Sequence, residues 1–163
     1  QGGALLAPEN GTIDGQDDFD PSKTVVGYTP GTIWQTTVEG WAADGKIKEA
    51  RATGDQTESI VALQNGKIDA FLTDSPVVEN LMKFQPETLK GLKLCSNYKD
   101  TEAEIGRIAP SVKFGNEDFM KDINKVVAEM RDEGVLDQIY EKYGLDPKLH
   151  AITNDQKDNG LNK

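Results

Sequence analysis

The sequence has few residues of the types that build redox, metal or nucleophilic sites. Its 163 residues include one cysteine and one histidine. The cysteine, Cys95, can form no internal disulfide and supplies no pair of metal ligands. The histidine, His150, lies near a polar C-terminal tail, so no serine or cysteine nucleophile has a credible histidine base. We therefore predict no catalytic residues, no metal site and no cofactor, with a paired-carboxylate mechanism among the 28 Asp and Glu residues as the open alternative.

Positive charge and long apolar runs are also scarce. The chain has 18 Lys and Arg against 28 Asp and Glu, a formal net charge of −10. This balance argues against a nucleic-acid partner, because phosphate recognition depends on Lys and Arg that neutralise the backbone. No apolar run is long enough to span a membrane. The length suits one domain with an ordinary hydrophobic core.

Short apolar runs alternate with helical patterns along the chain. This alternation is typical of βαβ units around a mainly parallel sheet, so the predicted fold class is α/β. Strands are predicted in GGALLAP, TVVGY (24–28), KIKEAR, KIDAFLT, GLKLC (91–95) and EIGRIA (104–109). Helical patterns fill 116–143 and stop at Gly144 and Pro147, and the tail is predicted to be loose.

Local signals mark where the helices between the strands begin and end. Asp55 and Glu58 resemble a capping box, and Gly66 fits the left-handed stop of the same helix. Ser75 and Pro76 are predicted as the N-cap and the first residue of the next helix.

Two tryptophans lie in the first helical pattern. Trp34, Val38 and Trp41 recur at i, i+4 and i+7, which is the spacing of one helical face. We interpret both tryptophans as core residues. A ligand platform is the alternative, above all for Trp34, which lies in the first helical turn.

A corner of sequence Thr-Pro-Gly-Thr, residues 29–32, joins the strand TVVGY to that helix. The first N–H groups of a helix have no intrahelical partner and their dipoles favour negative charge, so the corner can bind an anion. Gly31 allows close approach to the backbone, and the hydroxyls of Thr29 and Thr32 can donate to a carboxylate. The corner lacks the spacing of a phosphate-binding loop. A plain helix N-cap remains the alternative.

Asp74 is the second candidate for binding. It follows the apolar strand KIDAFLT, and ligands bind at the carboxyl ends of strands in open α/β sheets. Its carboxylate can pair with an ammonium group, while the alternative is an Asp that caps the helix behind it. A carboxylate-binding corner and an Asp together form a clamp suited to a zwitterion.

The order of four segments resembles a known family. They are TVVGYTPGTIW, SIVALQNGKIDAFLTDSPV, EIGRIAPS and FMKDINKVVAEMRDEGVLDQIYEKYG. Together they resemble the bacterial extracellular solute-binding proteins of family 3, the polar-amino-acid type. The resemblance covers nearly all of residues 2–144 and implies a lobe of the type II periplasmic-binding-protein-like fold followed by C-terminal helices.

The resemblance implies a function and roles for the site residues. Such a protein closes two lobes on an amino acid and delivers it to the permease of an ABC importer. It lies in the periplasm or outside the cell, secreted or lipid-anchored to the cytoplasmic membrane. The corner with Thr29, Gly31 and Thr32 would bind the α-carboxylate of the amino acid. Asp74 would bind its α-ammonium group.

The resemblance also implies a division of the chain. Residues 1–109 would hold the hinge strands and the second lobe, residues 110–147 the helices that normally pack on the first lobe, and residues 148–163 a loose polar tail. The first lobe would precede Gly2, so we expect a part of a longer protein. Helices 116–143 would then lack partner surface, and we expect them to rest on the second lobe or to form a homo-oligomer.

Two other function classes stay open at this stage. Similar folds include dehydratase-like enzymes, for which a catalytic Glu or His would have to face the cleft between Thr29 and Asp74. A ligand-sensing domain of a receptor is the other alternative, and it would require a membrane span after Lys163.

Overall fold

The computed structural model describes residues 2–100 and 108–150. The chain divides into two compact units, Gln1–Gly106 and Arg107–Lys163. The first unit contains a sheet with helices, and the regular elements in the described part of the second unit are helices.

One sheet of five strands forms the centre of the first unit. The strands are β1 (Gly3–Pro8), β2 (Val25–Tyr28), β3 (Glu49–Ala52), β4 (Ala70–Asp74) and β5 (Leu92–Leu94). Their spatial order is β3-β2-β4-β1-β5. β2 runs parallel to β3 and β4, whereas β1 runs antiparallel to β4 and β5. Four strands therefore share one direction, which confirms the α/β class with a mainly parallel sheet.

Three helices connect the strands. They are α1 (Ile33–Ala43), α2 (Gln56–Gln64) and α3 (Ser75–Phe84), with 3-10 turns at Gln16–Asp18 and Pro86–Leu89. The predicted capping box is confirmed in part, because the Asp55 carboxylate accepts a 2.8 Å hydrogen bond from the Glu58 N–H. Gly66 has a φ of +66°, the left-handed conformation expected where α2 ends.

Apolar side chains cover both faces of the sheet. Alternate residues of β1 point to opposite faces, so Leu5 packs with Trp34 of α1 while Leu6 packs with Leu63 of α2. A strand that is buried on both faces has no polar alternation, which explains the continuous run in GALLAP. α1 thus lies against one face of the sheet, and α2 and α3 against the other.

Several predicted boundaries differ from the structure. The strands predicted in KIKEAR and KIDAFLT begin later, at Glu49 and Ala70. Ser75 is not the N-cap of α3 but its first helical residue, because the chain leaves the extended conformation only after Asp74. Residues 104–107 of the predicted strand EIGRIA lie outside the described residues, and the described residues 108 and 109 are not in a strand.

The second unit contains α4 (Glu117–Asp132), α5 (Val135–Lys142) and α6 (Pro147–His150). Gly134, with a left-handed φ of +71°, separates α4 from α5. Pro147 does not end the helical region but begins α6, a position where its missing N–H costs nothing. No described residue of this unit is buried, and Phe119 of α4 is 59% exposed.

Candidate functional site

The corner 29–32 and Asp74 lie at the same edge of the sheet. β2 and β4 are parallel neighbours, with Val26 opposite Ala70 and Gly27 opposite Phe71. Their carboxyl ends therefore meet at one edge, where β2 continues into the corner and β4 ends at Asp74. The structure thus brings the two predicted halves of the site together at the end of the sheet where open α/β sheets bind ligands.

A hydrogen bond joins α1 to the end of β4. The indole N–H of Trp34 donates to Asp74 Oδ1 over 3.0 Å. Trp34 is only 1% exposed, and an added Cβ at Gly3 would lie 2.9 Å from two carbons of its ring. Trp34 is therefore a core residue that orients Asp74, and it is not an exposed platform for a ligand.

The other tryptophan also packs inside the first unit. Trp41 is half-buried, with its ring centroid 5.2 Å from that of Phe19 and 6.4 Å from that of Tyr98. Its position confirms the core interpretation.

One predicted donor, the Thr32 hydroxyl, and the N–H of Gly31 already have acceptors within the chain. The Thr32 hydroxyl donates to the Thr29 carbonyl over 2.8 Å, and the Gly31 N–H donates to Gln35 Oε1 over 3.0 Å. Gly31 has a φ of +79°, and no atom lies within 4 Å of the place a Cβ would occupy. Gly31 therefore contributes space and a left-handed turn, and its N–H is engaged.

Other donors at the corner have no acceptor. Within the part of the chain that the structure describes, no hydrogen-bond partner is present for the Thr29 hydroxyl or for the N–H groups of Ile33 and Trp34. Thr32 is the N-cap residue of α1, with an extended backbone, but its side chain makes no capping bond. The dipole of α1 favours negative charge at these open N–H groups. The corner is thus suited to an anion.

Asp74 supplies the negative charge of the site. It is half-buried and is the N-cap residue of α3, yet its side chain makes no capping hydrogen bond. Oδ1 accepts from Trp34, and among the described residues nothing donates to Oδ2. The carboxylate is therefore fixed in position through one oxygen, and the other oxygen can accept a hydrogen bond from a cation.

Three residues near the corner have contacts that the sequence analysis did not identify. Glu39 Oε1 accepts from the Tyr28 hydroxyl over 2.6 Å and from Gln35 Nε2 over 3.0 Å. The hydrogen bond to Glu39 raises the pKa of Tyr28, and burial adds to the shift. The only sequence signals are the i, i+4 spacing of Gln35 and Glu39 and the motif T-x-x-Q that begins at Thr32.

The described residues also bear on a metal site, a reactive thiol and a membrane span. No group of three or more metal-ligating side chains occurs among them. Cys95 is buried, and this burial raises the pKa of its thiol to about 11. None of the described helices combines the length and the apolar character that crossing a membrane requires.

Comparison with known proteins identifies the family. The model for bacterial extracellular solute-binding proteins, family 3, matches residues 22–146. The chain belongs to this family. The expectation drawn from the four segments is therefore confirmed, and so is the periplasmic-binding-protein-like fold.

Two curated relatives carry names that state a ligand. The L-cystine-binding protein TcyJ of Escherichia coli is 28% identical over 142 residues, which are 86% of this chain and 48% of that protein. A "Probable histidine-binding protein" of Campylobacter jejuni is 25% identical over 142 residues, which are 87% of this chain and 51% of that protein. The chain spans about half the length of the curated relatives it matches.

Solved structures agree with this assignment. An ancestral arginine-binding protein bound to arginine matches with a TM-score of 0.64 and 27% identity, and the match covers 87% of this chain and 59% of that one. The second substrate-binding domain of a putative amino acid ABC transporter from Streptococcus pneumoniae matches with a TM-score of 0.65 and 23% identity, covering 88% and 60% of the two chains. At that identity the second match supports the fold only.

Proposed function

We propose that this chain contributes one side of an amino-acid site in the substrate-binding protein of an ABC importer. The observation that carries the proposal is the meeting of open N–H donors and a carboxylate at one edge of the sheet, in a chain of this family. A zwitterion presents one negative and one positive group a few bonds apart. Both groups can therefore be bound at this edge.

The two charged groups of the ligand have different partners in the proposed clamp. The α-carboxylate lies at the corner of Thr29, Gly31 and Thr32, where the α1 dipole and the open N–H groups stabilise it. The Thr29 hydroxyl can donate directly, while the Thr32 hydroxyl must first leave the Thr29 carbonyl. The α-ammonium group donates to Asp74. The site acts by binding alone, with no catalytic step.

The proposal assigns the chain to the second half of a two-lobed protein. Residues 1–109 form the hinge strands and the second lobe, and residues 110–147 form helices that pack on a first lobe, followed by a loose tail at 148–163. The length of the relatives supports this assignment. The exposed apolar side chains of α4 and α5 support it as well, because such faces normally have a partner.

The same helices provide an interface when the chain is alone. We propose that the helices of residues 116–143 then pair with a second copy of the chain, since Phe119 and Val126 of α4 are more than half exposed. Sedimentation of the 163-residue chain at several concentrations tests this point. A monomer at all concentrations contradicts it.

The family supports a ligand class and a partner. The relatives are named for cystine, histidine and arginine, so we propose a polar amino acid as the ligand. The complete protein would lie in the periplasm or outside the cell, secreted or held by a lipid anchor, and would deliver the ligand to the importer's permease.

Calorimetric titration tests the proposed function. The complete product of the gene is titrated with L-histidine, L-cystine and L-arginine, and the 163-residue chain is titrated in parallel. We expect the complete product to bind at least one of the three, and the shorter chain to bind it far more weakly. If titration with each polar amino acid gives no heat of binding, the proposal is contradicted.

A further inference from the structure

We propose that Gln35 is a positioning residue of the amino-acid site, which holds the corner 29–32 in its binding shape before a ligand arrives. This inference rests on the proposed function. Its basis is a chain of hydrogen bonds from Tyr28 through Glu39 and Gln35 to the N–H of Gly31.

The first step is the way in which α1 begins. In a complete capping box the Thr32 side chain would accept from the N–H of Gln35, and Gln35 would reach back to the N–H of Thr32. In the structure the Thr32 hydroxyl instead donates to the Thr29 carbonyl, and Gln35 reaches one residue further back, to Gly31. The capping residues are present, but both side chains bond to the corner. The N–H groups of Ile33 and Trp34, which a capping box does not engage, have no acceptor among the described residues.

The second step is the orientation of the Gln35 amide. A carboxylate only accepts hydrogen bonds, so Glu39 requires the amide nitrogen of Gln35 on its side. The amide oxygen of Gln35 then necessarily faces the N–H of Gly31, which only donates. Tyr28 is 5% exposed and holds Glu39 through its hydroxyl. The buried strand β2 thus fixes the orientation of a side chain at the corner.

The third step is the effect on ligand binding. Gly31 has a left-handed φ of +79°, and no atom lies within 4 Å of the place a Cβ would occupy, so no side chain packs against this turn from that direction. The hydrogen bond from Gly31 to Gln35 constrains the turn. A ligand carboxylate then meets donors that already point to it, and less conformational entropy is lost on binding. Gln35 therefore increases affinity without touching the ligand.

The test compares Gln35→Met with Thr36→Met. Both substitutions place methionine on α1, but Thr36 is an exposed neighbour that makes no hydrogen bond through its side chain among the described residues. In the ¹⁵N-labelled 163-residue chain, we expect Gln35→Met to move the Gly31 amide proton upfield and to raise its exchange rate about fivefold, as for one lost hydrogen bond. In the complete product, titration with L-histidine, L-cystine and L-arginine should show about fivefold weaker binding of whichever binds. Thr36→Met should leave the Gly31 amide shift, its exchange rate and the ligand affinity unchanged.

Exchanging the side chains of Gln35 and Glu39 tests the hydrogen bonds from Glu39 through Gln35 to Gly31. Gln35→Glu keeps an acceptor at position 35 but places two carboxylates side by side, so their repulsion should weaken the hydrogen bond from the Gly31 N–H. Adding Glu39→Gln restores a donor opposite an acceptor, so the double variant should move the Gly31 amide proton back downfield, at least to its wild-type position, because a carboxylate accepts more strongly than an amide oxygen. Failure of this rescue contradicts the assigned contacts.

The outcomes separate this inference from the proposed function. An unchanged Gly31 amide in Gln35→Met overturns the inference, and so does unchanged or tighter ligand binding when the amide has moved. If wild type binds none of the three amino acids, the proposed function fails and the ligand-directed role of Gln35 fails with it. The Gly31 signal then still decides whether Gln35 holds the corner.

Discussion

Replacing Asp74 by asparagine or alanine separates its structural contact from its proposed contact with the ligand. Asp74 Oδ1 accepts the buried indole N–H of Trp34 at 3.0 Å. The amide oxygen of asparagine can keep that hydrogen bond, but the side chain loses its negative charge. Alanine removes both the hydrogen bond and the charge.

The expected effects on stability differ between the two variants. Asp74→Asn loses only the favourable charge at the N-terminus of α3, which costs about 0.3–1 kcal/mol in the free energy of unfolding. Asp74→Ala also leaves the indole N–H of Trp34 buried without a partner, at a further cost of about 1–3 kcal/mol. Urea denaturation of the 163-residue chain measures the difference.

The expected effects on ligand affinity are large in both variants. A hydrogen bond to a charged group contributes about 1.5–3 kcal/mol, which corresponds to a loss of affinity of about 10- to 150-fold for Asp74→Asn in the complete product. Titration of wild type and Asp74→Asn with the amino acid that wild type binds measures this loss. Unchanged affinity in Asp74→Asn would refute the ammonium assignment, and equal stability of the two variants would refute the structural role of the Trp34 contact.

Three further predictions concern the stability and reactivity of the first unit. Asp55→Ala removes the acceptor of the Glu58 N–H at the start of α2, and we expect it to lower the free energy of unfolding by about 1 kcal/mol in urea denaturation. Gly3→Ala places a Cβ against the ring of Trp34 and should cost about 1–3 kcal/mol, and a melting temperature equal to that of wild type would show that the ring can move. Cys95, with a thiol pKa of about 11, should react with iodoacetamide at pH 8 at least about a hundredfold more slowly in the native chain than in urea, as followed by mass spectrometry.

Local patterns in the sequence predicted the elements that carry the site. The apolar run before the corner and the i, i+4, i+7 spacing after it predicted β2 and α1, because burial and helical periodicity act over a few residues. The contact of the Asp55 carboxylate with Glu58 was also predictable, since its partners lie three residues apart. Ser75 was misassigned as an N-cap because the residue types alone do not distinguish which of two adjacent polar residues ends the strand.

Contacts between distant parts of the chain were not predictable from such patterns. Trp34 and Asp74 are 40 residues apart, and only the pairing of β2 with β4 brings them together. The antiparallel direction of β1 likewise depends on long-range pairing and not on its own sequence. The positions of Thr29 and Asp74 at one edge followed from a general property of parallel sheets, whereas the internal hydrogen bonds of the corner required the structure.

The central claim is that one edge of this sheet binds both charged ends of an amino acid. Its most direct test is calorimetric titration of the complete product with whichever of L-histidine, L-cystine or L-arginine it binds, together with the α-carboxamide and the Nα-acetyl derivative of that amino acid. We predict that each derivative binds at least about tenfold more weakly, because each loses a charged group that the corner or Asp74 recognises. Equal binding of either derivative would contradict the corresponding half of the clamp.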